Sequence, residues 1–128
     1  MESNANALNW FEIPVDEIDR AQDFYEGIFD MEMMPMQEMP GMKMVGFPID
    51  INSGKVGGSL VESENHYPSE DGAVIYLNAN PDMQVILDRV EQLGGEIIMP
   101  RTQISPEIGY MAFILDTEGN KIGLHSQN

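Results

Sequence analysis

Cysteine is absent from the chain, which excludes disulfides, a thiol nucleophile and any metal site built on thiolates. Basic residues are scarce: 6 Lys and Arg stand against 22 Asp and Glu, a formal net charge of −16 at pH 7. Nucleic acid and anionic membrane are therefore not expected as partners, because phosphate binding needs clustered Lys and Arg. Only Arg20, Arg89 and Arg101 offer a guanidinium fork for a carboxylate or phosphate, so anionic substrates are disfavoured. The segment Met1 to Leu8 has neither a basic start nor an apolar run. It reads as neither a signal peptide nor a membrane span, and a cytoplasmic protein is expected. The acidic surplus reads most simply as a solvated surface that maintains solubility.

What is present is a repeat. Phe47-Pro48-Ile49-Asp50 leads through Ser53-Gly54 to Lys55-Val56-Gly57, and Phe113-Ile114-Leu115-Asp116 leads through Gly119-Asn120 to Lys121-Ile122-Gly123 with the same Asp-to-Lys separation. Each stretch reads as a polar turn followed by a strand, since Asp, Asn and Gly tolerate left-handed backbone. A chain of 128 residues with 42% hydrophobic content is one domain, spanning 1-128, so two units this small must share a core.

The periodicities fill in both copies. Asn9 to Val15 alternates as a half-buried strand; Asp16 stands as an N-cap, and Ile18, Ala21, Tyr25 and Ile28 recur at helical spacing. Strands are expected at Met31 to Met36, Lys43 to Phe47 and Val56 to Val61, completing a βαβββ module over 9-61. A polar connector over 62-71 precedes the second module, 72-127. There, alternation from Gly72 to Ala79 marks a strand, Asn80-Pro81 a helix start, Gly94-Gly95 its close, and three strands follow at Glu96 to Ile104, Gly109 to Asp116 and Lys121 to Gln127. The fold expected is α+β, two βαβββ modules whose helix-free sheet faces curl toward a shared hollow. Strand parity points Trp10, Glu12, Gly57, Ser59, Val74, Tyr76, Gly123 and His125 into it.

Trp10-Phe11-Glu12-Ile13-Pro14-Val15 with Asp19-Arg20-Ala21 and Phe24-Tyr25, then Leu93-Gly94-Gly95, then Asp116-Thr117-Glu118-Gly119-Asn120 with Ile122, resembles the vicinal oxygen chelate superfamily. That superfamily includes glyoxalase I, bleomycin resistance proteins, fosfomycin resistance enzymes and extradiol dioxygenases. The resemblance implies a cup-shaped, partly open barrel, usually in a homodimer. It also implies a divalent metal held by His, Gln or Glu on the first and last strand of each module, acting as a Lewis acid. Carried onto this chain, those positions fall at Trp10, Gly57, Val74 and Gly123, none of which supplies a metal donor. No metal and no cofactor are therefore expected. The resemblance implies instead a glyoxalase and bleomycin-resistance-like binder of a small apolar or aromatic molecule, its floor made by the Trp10 indole with two glycines giving it room.

Other candidates follow from residue type. Glu12 and His125 are the acid-base pair expected to face the hollow, suited to proton transfer in a lyase, isomerase or dioxygenase with or without a displaced metal, or else to an ordinary hydrogen-bonded rim pair. Ser59, Tyr76, Asn78 and, from a neighbouring strand, Tyr110 are candidate ligand-orienting groups. Met31, Met33, Met34, Met36, Met39, Met42 and Met44 crowd one segment and are expected to form a pliable wall or lid, thioether side chains being adaptable. His66 and Tyr67 are expected in an exposed polar loop, within possible reach of the cup.

Overall fold

The computed structural model describes all 128 residues. Strand β1 (Trp10–Pro14), helix α1 (Ile18–Phe29) and strands β2 (Met34–Pro35), β3 (Met42–Gly46) and β4 (Gly57–Ser63) form the first module. Strand β5 (Tyr76–Asn78), helix α2 (Met83–Val90) and strands β6 (Glu96–Ser105), β7 (Gly109–Leu115) and β8 (Lys121–Ser126) form the second. The sheets have matching orders, β1-β4-β3-β2 and β5-β8-β7-β6. In each, the first strand runs parallel to the last and the remaining pairs are antiparallel. Both modules are βαβββ, as the repeat requires.

Helix α1 forms because Ala21, Phe24, Tyr25 and Ile28 make one apolar stripe, all of it buried. Its start differs from expectation. Asp16 does not cap it; the cap position is Glu17, whose side chain bonds no helix N–H. The free donors are satisfied from elsewhere in the chain: Glu118 Oε1 accepts from Asp16 N at 3.0 Å and Glu17 N at 2.8 Å, and Glu62 Oε1 accepts from Ile18 N at 2.9 Å. Carboxylates suit this end of a helix dipole. Helix α2 is likewise capped two residues beyond Asn80, by Asp82, which accepts from Gln84 N at 3.0 Å.

Two strands are shorter than their alternation suggests. Strand β2 is cut to Met34–Pro35 because Met33 N donates to the Glu26 carboxylate at 2.8 Å instead of to a strand. Strand β5 spans only Tyr76–Asn78, although Ile75 O still accepts from Gly123 N at 2.9 Å.

One cluster of 19 buried residues joins both modules, taking Ile13, Val15 and Leu60 from the first sheet, Leu77, Ala112, Ile114 and Leu124 from the second, and the inner faces of both helices. Burying each such side chain contributes about 1.5–3 kcal/mol, and neither module supplies the whole set. Those strand positions face the helices, so Trp10, Glu12, Gly57, Ser59, Tyr76, Asn78, Gly123 and His125 lie on the helix-free faces, as parity predicts.

The turn after β7 clasps the modules together. Asp116 accepts from Glu118 N at 2.8 Å, Asn120 N at 2.9 Å, Asn120 Nδ2 at 3.0 Å and the buried Tyr25 hydroxyl of α1 at 2.6 Å. Asn120 Nδ2 also donates to Pro14 O at 2.7 Å, and Arg20 donates to Glu118 at 2.8 and 2.9 Å. Burial, and then the Asp116 charge, push the Tyr25 phenol well above its ordinary value. Burial pushes Glu118 upward, but hydrogen bonds from Arg20, Glu17 N and Thr117 outweigh it and hold the carboxyl below its ordinary value.

Candidate functional site

The helix-free faces are organised by two aromatic–glycine pairs. In β1 and β4 Trp10 stands opposite Gly57; in β5 and β8 Tyr76 stands opposite Gly123. A Cβ on Gly123 would lie 2.6 Å from Tyr76 Cδ1, and one on Gly57 would lie 3.3 Å from Trp10 Cζ3. Each ring thus lies over the bare backbone of the neighbouring strand, the packing that rescues a glycine within a sheet. Trp10 is 39% exposed and Tyr76 47%, so both rings present a face to solvent.

This register corrects one expectation. Tyr76, not Val74, is the counterpart of Trp10; Val74 lies outside the strand. Strand parity alone is blind to this, because a shift of one full pleat keeps a side chain on the same face. The four positions where the resemblance places metal ligands therefore hold an indole, a phenol and two hydrogens. Only the phenol has a donor atom, and no group of three or more His, Cys, Asp or Glu is placed to hold a metal ion. The residues present do not fit the divalent ion that the fold family implies.

Glu12 and His125 are not partners. Glu12 Oε1 lies 2.9 Å from His66 Nε2, and His66 Nδ1 lies 2.6 Å from Ser63 Oγ. His125 Nε2 instead donates to the Ile108 carbonyl at 2.7 Å. The connector that reads as a free polar loop bends back over β1, held by Ser69 N donating to Asn120 Oδ1 at 3.0 Å. The sequence signal for His66 was its Ser-x-x-His spacing, which closes a turn. Its meeting with Glu12 depends on tertiary placement.

The remaining candidates divide. Asn78 accepts from Asn80 N at 2.9 Å and Asn80 Nδ2 at 2.8 Å through its Oδ1, leaving its own amide N–H groups free. Ser59 faces the helix-free side but is fully buried, and its hydroxyl has no hydrogen-bond partner, so it lies beneath the surface a ligand would meet. Tyr110 is on the other side altogether. Its register partner Ser126 points away from the His125 face, its ring packs on the core, and the Arg101 guanidinium lies 3.6 Å over it.

Two cavities open in the seam between modules. One of about 340 Å³ is lined chiefly by Phe11, Phe29, Met31, Phe47 and Leu77, with Asn78 as its polar side chain and Gly57 at its wall. The other, of about 220 Å³, is lined by Glu12, Pro14, Tyr67, Ile75, Asn120 and Lys121 among others. A larger open groove of about 730 Å³ beside the start of α1 is rich in carboxylates, and its Arg20 and Lys43 are already paired with Glu118 and Glu62. Apart from Ile18, Phe24 and Leu93 its lining is polar or charged, which suits an apolar molecule less than the seam cavity does.

The methionines serve several places. Met31 lines the apolar cavity, Met33 is buried in the core, Met36 sulfur packs 3.1 Å from where a Gly46 Cβ would be, and Met34 and Met39 are exposed.

Residues 7–124 match the family model described as Glyoxalase/Bleomycin resistance protein/Dioxygenase superfamily. Among solved structures, a hypothetical protein from S. aureus is similar at 22% identity and a TM-score of 0.65, covering 96% of this chain and 95% of that one. Glyoxalase I from Zea mays is similar at 16% identity and a TM-score of 0.66 over 91% of this chain and 43% of its own length. The genomically encoded fosfomycin resistance protein FosX from Listeria monocytogenes is similar at 16% identity and a TM-score of 0.65, covering 97% and 92%. No curated protein matches the chain in sequence. No helix is long and apolar enough to cross a membrane.

Proposed function

Because the chain belongs to the Glyoxalase/Bleomycin resistance protein/Dioxygenase superfamily, we propose that it binds a small apolar or aromatic compound without a metal, in the seam on the helix-facing side of the sheets and not on their helix-free faces. The observation that carries this reading is the seam cavity of about 340 Å³, walled by Phe11, Phe29, Met31, Phe47 and Leu77. Small-molecule sites fall in this size range and combine apolar walls with a few polar groups that fix orientation. Here Asn78 is the one polar residue of the lining other than backbone, and the Trp10 ring lies against Gly57 on the opposite face of the β1–β4 pair. A metal-dependent role draws no support from an indole, a phenol and two glycines at the ligand positions. The dyad proposed from Glu12 and His125 draws none from their separate hydrogen bonds.

The chain has one tryptophan, whose ring lies on Gly57, a residue of the cavity wall, so its emission reports changes in that wall. Titration with neutral aromatic compounds in the presence of a chelator is expected to change Trp10 emission saturably and to raise the melting temperature. Leu77→Phe, which narrows the cavity and adds no second tryptophan, is expected to weaken both effects, and Asn78→Leu to weaken them as well. The reading fails if only nickel, zinc, manganese or iron stabilises the fold and Glu12→Gln removes that stabilisation. As a second copy is common in this superfamily, a homodimer is part of the proposal, and sedimentation measures it.

A further inference from the structure

We infer that Ser63, His66 and Glu12 form a nucleophilic site for acyl transfer, separate from the apolar cavity and independent of it. A carboxylate can only accept hydrogen bonds, so the 2.9 Å contact to Glu12 fixes the proton of neutral His66 on Nε2. Nδ1 is then a lone pair, and the Ser63 hydroxyl 2.6 Å away must donate to it. This is the order of roles in a Ser-His-acid triad, recognised by geometry and not by sequence position. The turn itself does not need the arrangement. It is closed by His66 N donating to Ser63 O at 3.4 Å and by Asn65 N donating to Ser63 Oγ at 3.1 Å, whereas Glu12 comes from β1, far away in sequence.

Ser63 is partly exposed and lines an open groove of about 750 Å³ with Met39, Pro40 and Met42 on one side and Glu38, Glu62 and Glu64 around it. Lys43 in the same groove lies 3.7 Å from Glu62. The methionines and proline suit a short apolar acyl group, and the carboxylates select neutral or cationic esters over anionic ones. Ser63 Oγ attacks the ester carbonyl carbon as its proton passes to His66 Nδ1. The intermediate collapses with cleavage of the bond to the alcohol oxygen, which takes that proton and leaves. Water then gives a proton to Nδ1 while attacking the acyl-serine, and Ser63 departs with the proton returned. Glu12 acts as a positioning residue, holding the tautomer.

The test uses p-nitrophenyl acetate on the full chain. Expected are a burst of p-nitrophenolate stoichiometric with protein and an acetyl group mapped by peptide mass spectrometry to Ser63. Ser63→Ala and His66→Gln, each shown folded by circular dichroism, are expected to lose both. Glu12→Gln is expected to leave acetylation at Ser63 but to slow it by up to about 10⁴-fold, as loss of tautomer control does in such triads. Glu12→Asp is expected to recover part of the rate. Absence of a burst, acetylation that persists in folded Ser63→Ala, or an unchanged rate in Glu12→Gln overturns the assignment.

Discussion

Gly123→Ala tests the aromatic–glycine pairing most directly. The new methyl would sit 2.6, 2.8 and 2.9 Å from Tyr76 Cδ1, Cε1 and Cγ, whereas carbon atoms rest at about 3.5–4.0 Å. The backbone cannot yield, because β8 is paired on both sides and Gly123 N donates to Ile75 O at 2.9 Å. The clash reaches Cγ, the root of the ring, so the side chain must rotate as a whole and leave its tilted contact with Phe113, now 5.9 Å between centroids. Overpacking of this kind costs about 1–3 kcal/mol, and replacing a strand glycine by alanine returns about 0.5–1 kcal/mol. A net loss of roughly 1 kcal/mol, within a range of about 0–2.5 kcal/mol, follows. With a urea slope of about 1–3 kcal/mol/M, the denaturation midpoint should fall by roughly 0.5–1 M. Gly57→Ala, whose methyl would meet Ile49 and Trp10 at 3.2–3.3 Å, needs only small adjustments and should lie near neutral. In a Tyr76→Ala background the Gly123→Ala penalty should vanish. An unchanged midpoint for Gly123→Ala, or an equal penalty with Tyr76 removed, refutes the reasoning.

The clasp yields the other predictions. Tyr25→Phe removes the 2.6 Å hydrogen bond to Asp116 but leaves that carboxylate three donors, so a loss of about 1.5–3 kcal/mol is expected in urea unfolding. Because the folded Tyr25 phenol ionises above its ordinary value, its contribution is intact below pH of about 10, where tyrosine titrates in the unfolded chain, and declines at higher pH. Of the 4 tyrosines, ultraviolet titration should leave one un-ionised until the chain unfolds. For Glu118 the sign is opposite. Its folded carboxyl sits below the ordinary range, so as pH falls the unfolded chain takes the proton first and stability drops from the ordinary carboxylate range downward. Glu118→Gln should flatten that acid limb of the melting-temperature profile, and a limb as steep as the parent's would contradict the assignment.

The fold was legible where alternation and repetition carry it. The alternation from Asn9 to Val15 and the spacing of Ile18, Ala21, Tyr25 and Ile28 declare a strand and a helix without help, and the repeated Asp-to-Lys spacing declares two modules. The site was legible only to the level of a sheet face. Parity placed Glu12, Tyr76 and Asn78 on the helix-free side, yet it could not tell Val74 from Tyr76 as the partner of Gly123, since both occupy the same phase of the pleat. Tyr110 was misjudged because it was placed by adjacency and not by phase: along β7, which pairs with β8 in unbroken register, it shares the pleat phase of the buried Ala112 and Ile114. His66 was undervalued because a polar connector has no period, so nothing local says which strand it will fold over.

The two copies of the repeated turn show what a local pattern encodes and what it leaves to packing. Asp50 and Asp116 hold equivalent places, and both accept from backbone N–H groups just downstream: Asn52 N bonds Asp50 Oδ1 at 3.0 Å, and Glu118 N bonds Asp116 Oδ1 at 2.8 Å. That bond is within reach of any Asp in such a turn. Asp50 is otherwise exposed, whereas Asp116 is 4% exposed and joined to Tyr25 across the module boundary. A buried carboxylate without those partners would be costly, so Tyr25, Asn120 and Asp116 act as a unit that only the second turn completes. The first turn is thereby free of any duty in joining the modules, and Ile49 just before it can lie against Gly57 on the side that Trp10 covers. If the clasp carries the junction between modules, Asp116→Asn should loosen the whole domain, while Asp50→Asn should leave the midpoint of unfolding within about 0.5 kcal/mol of the parent, as exposed substitutions do.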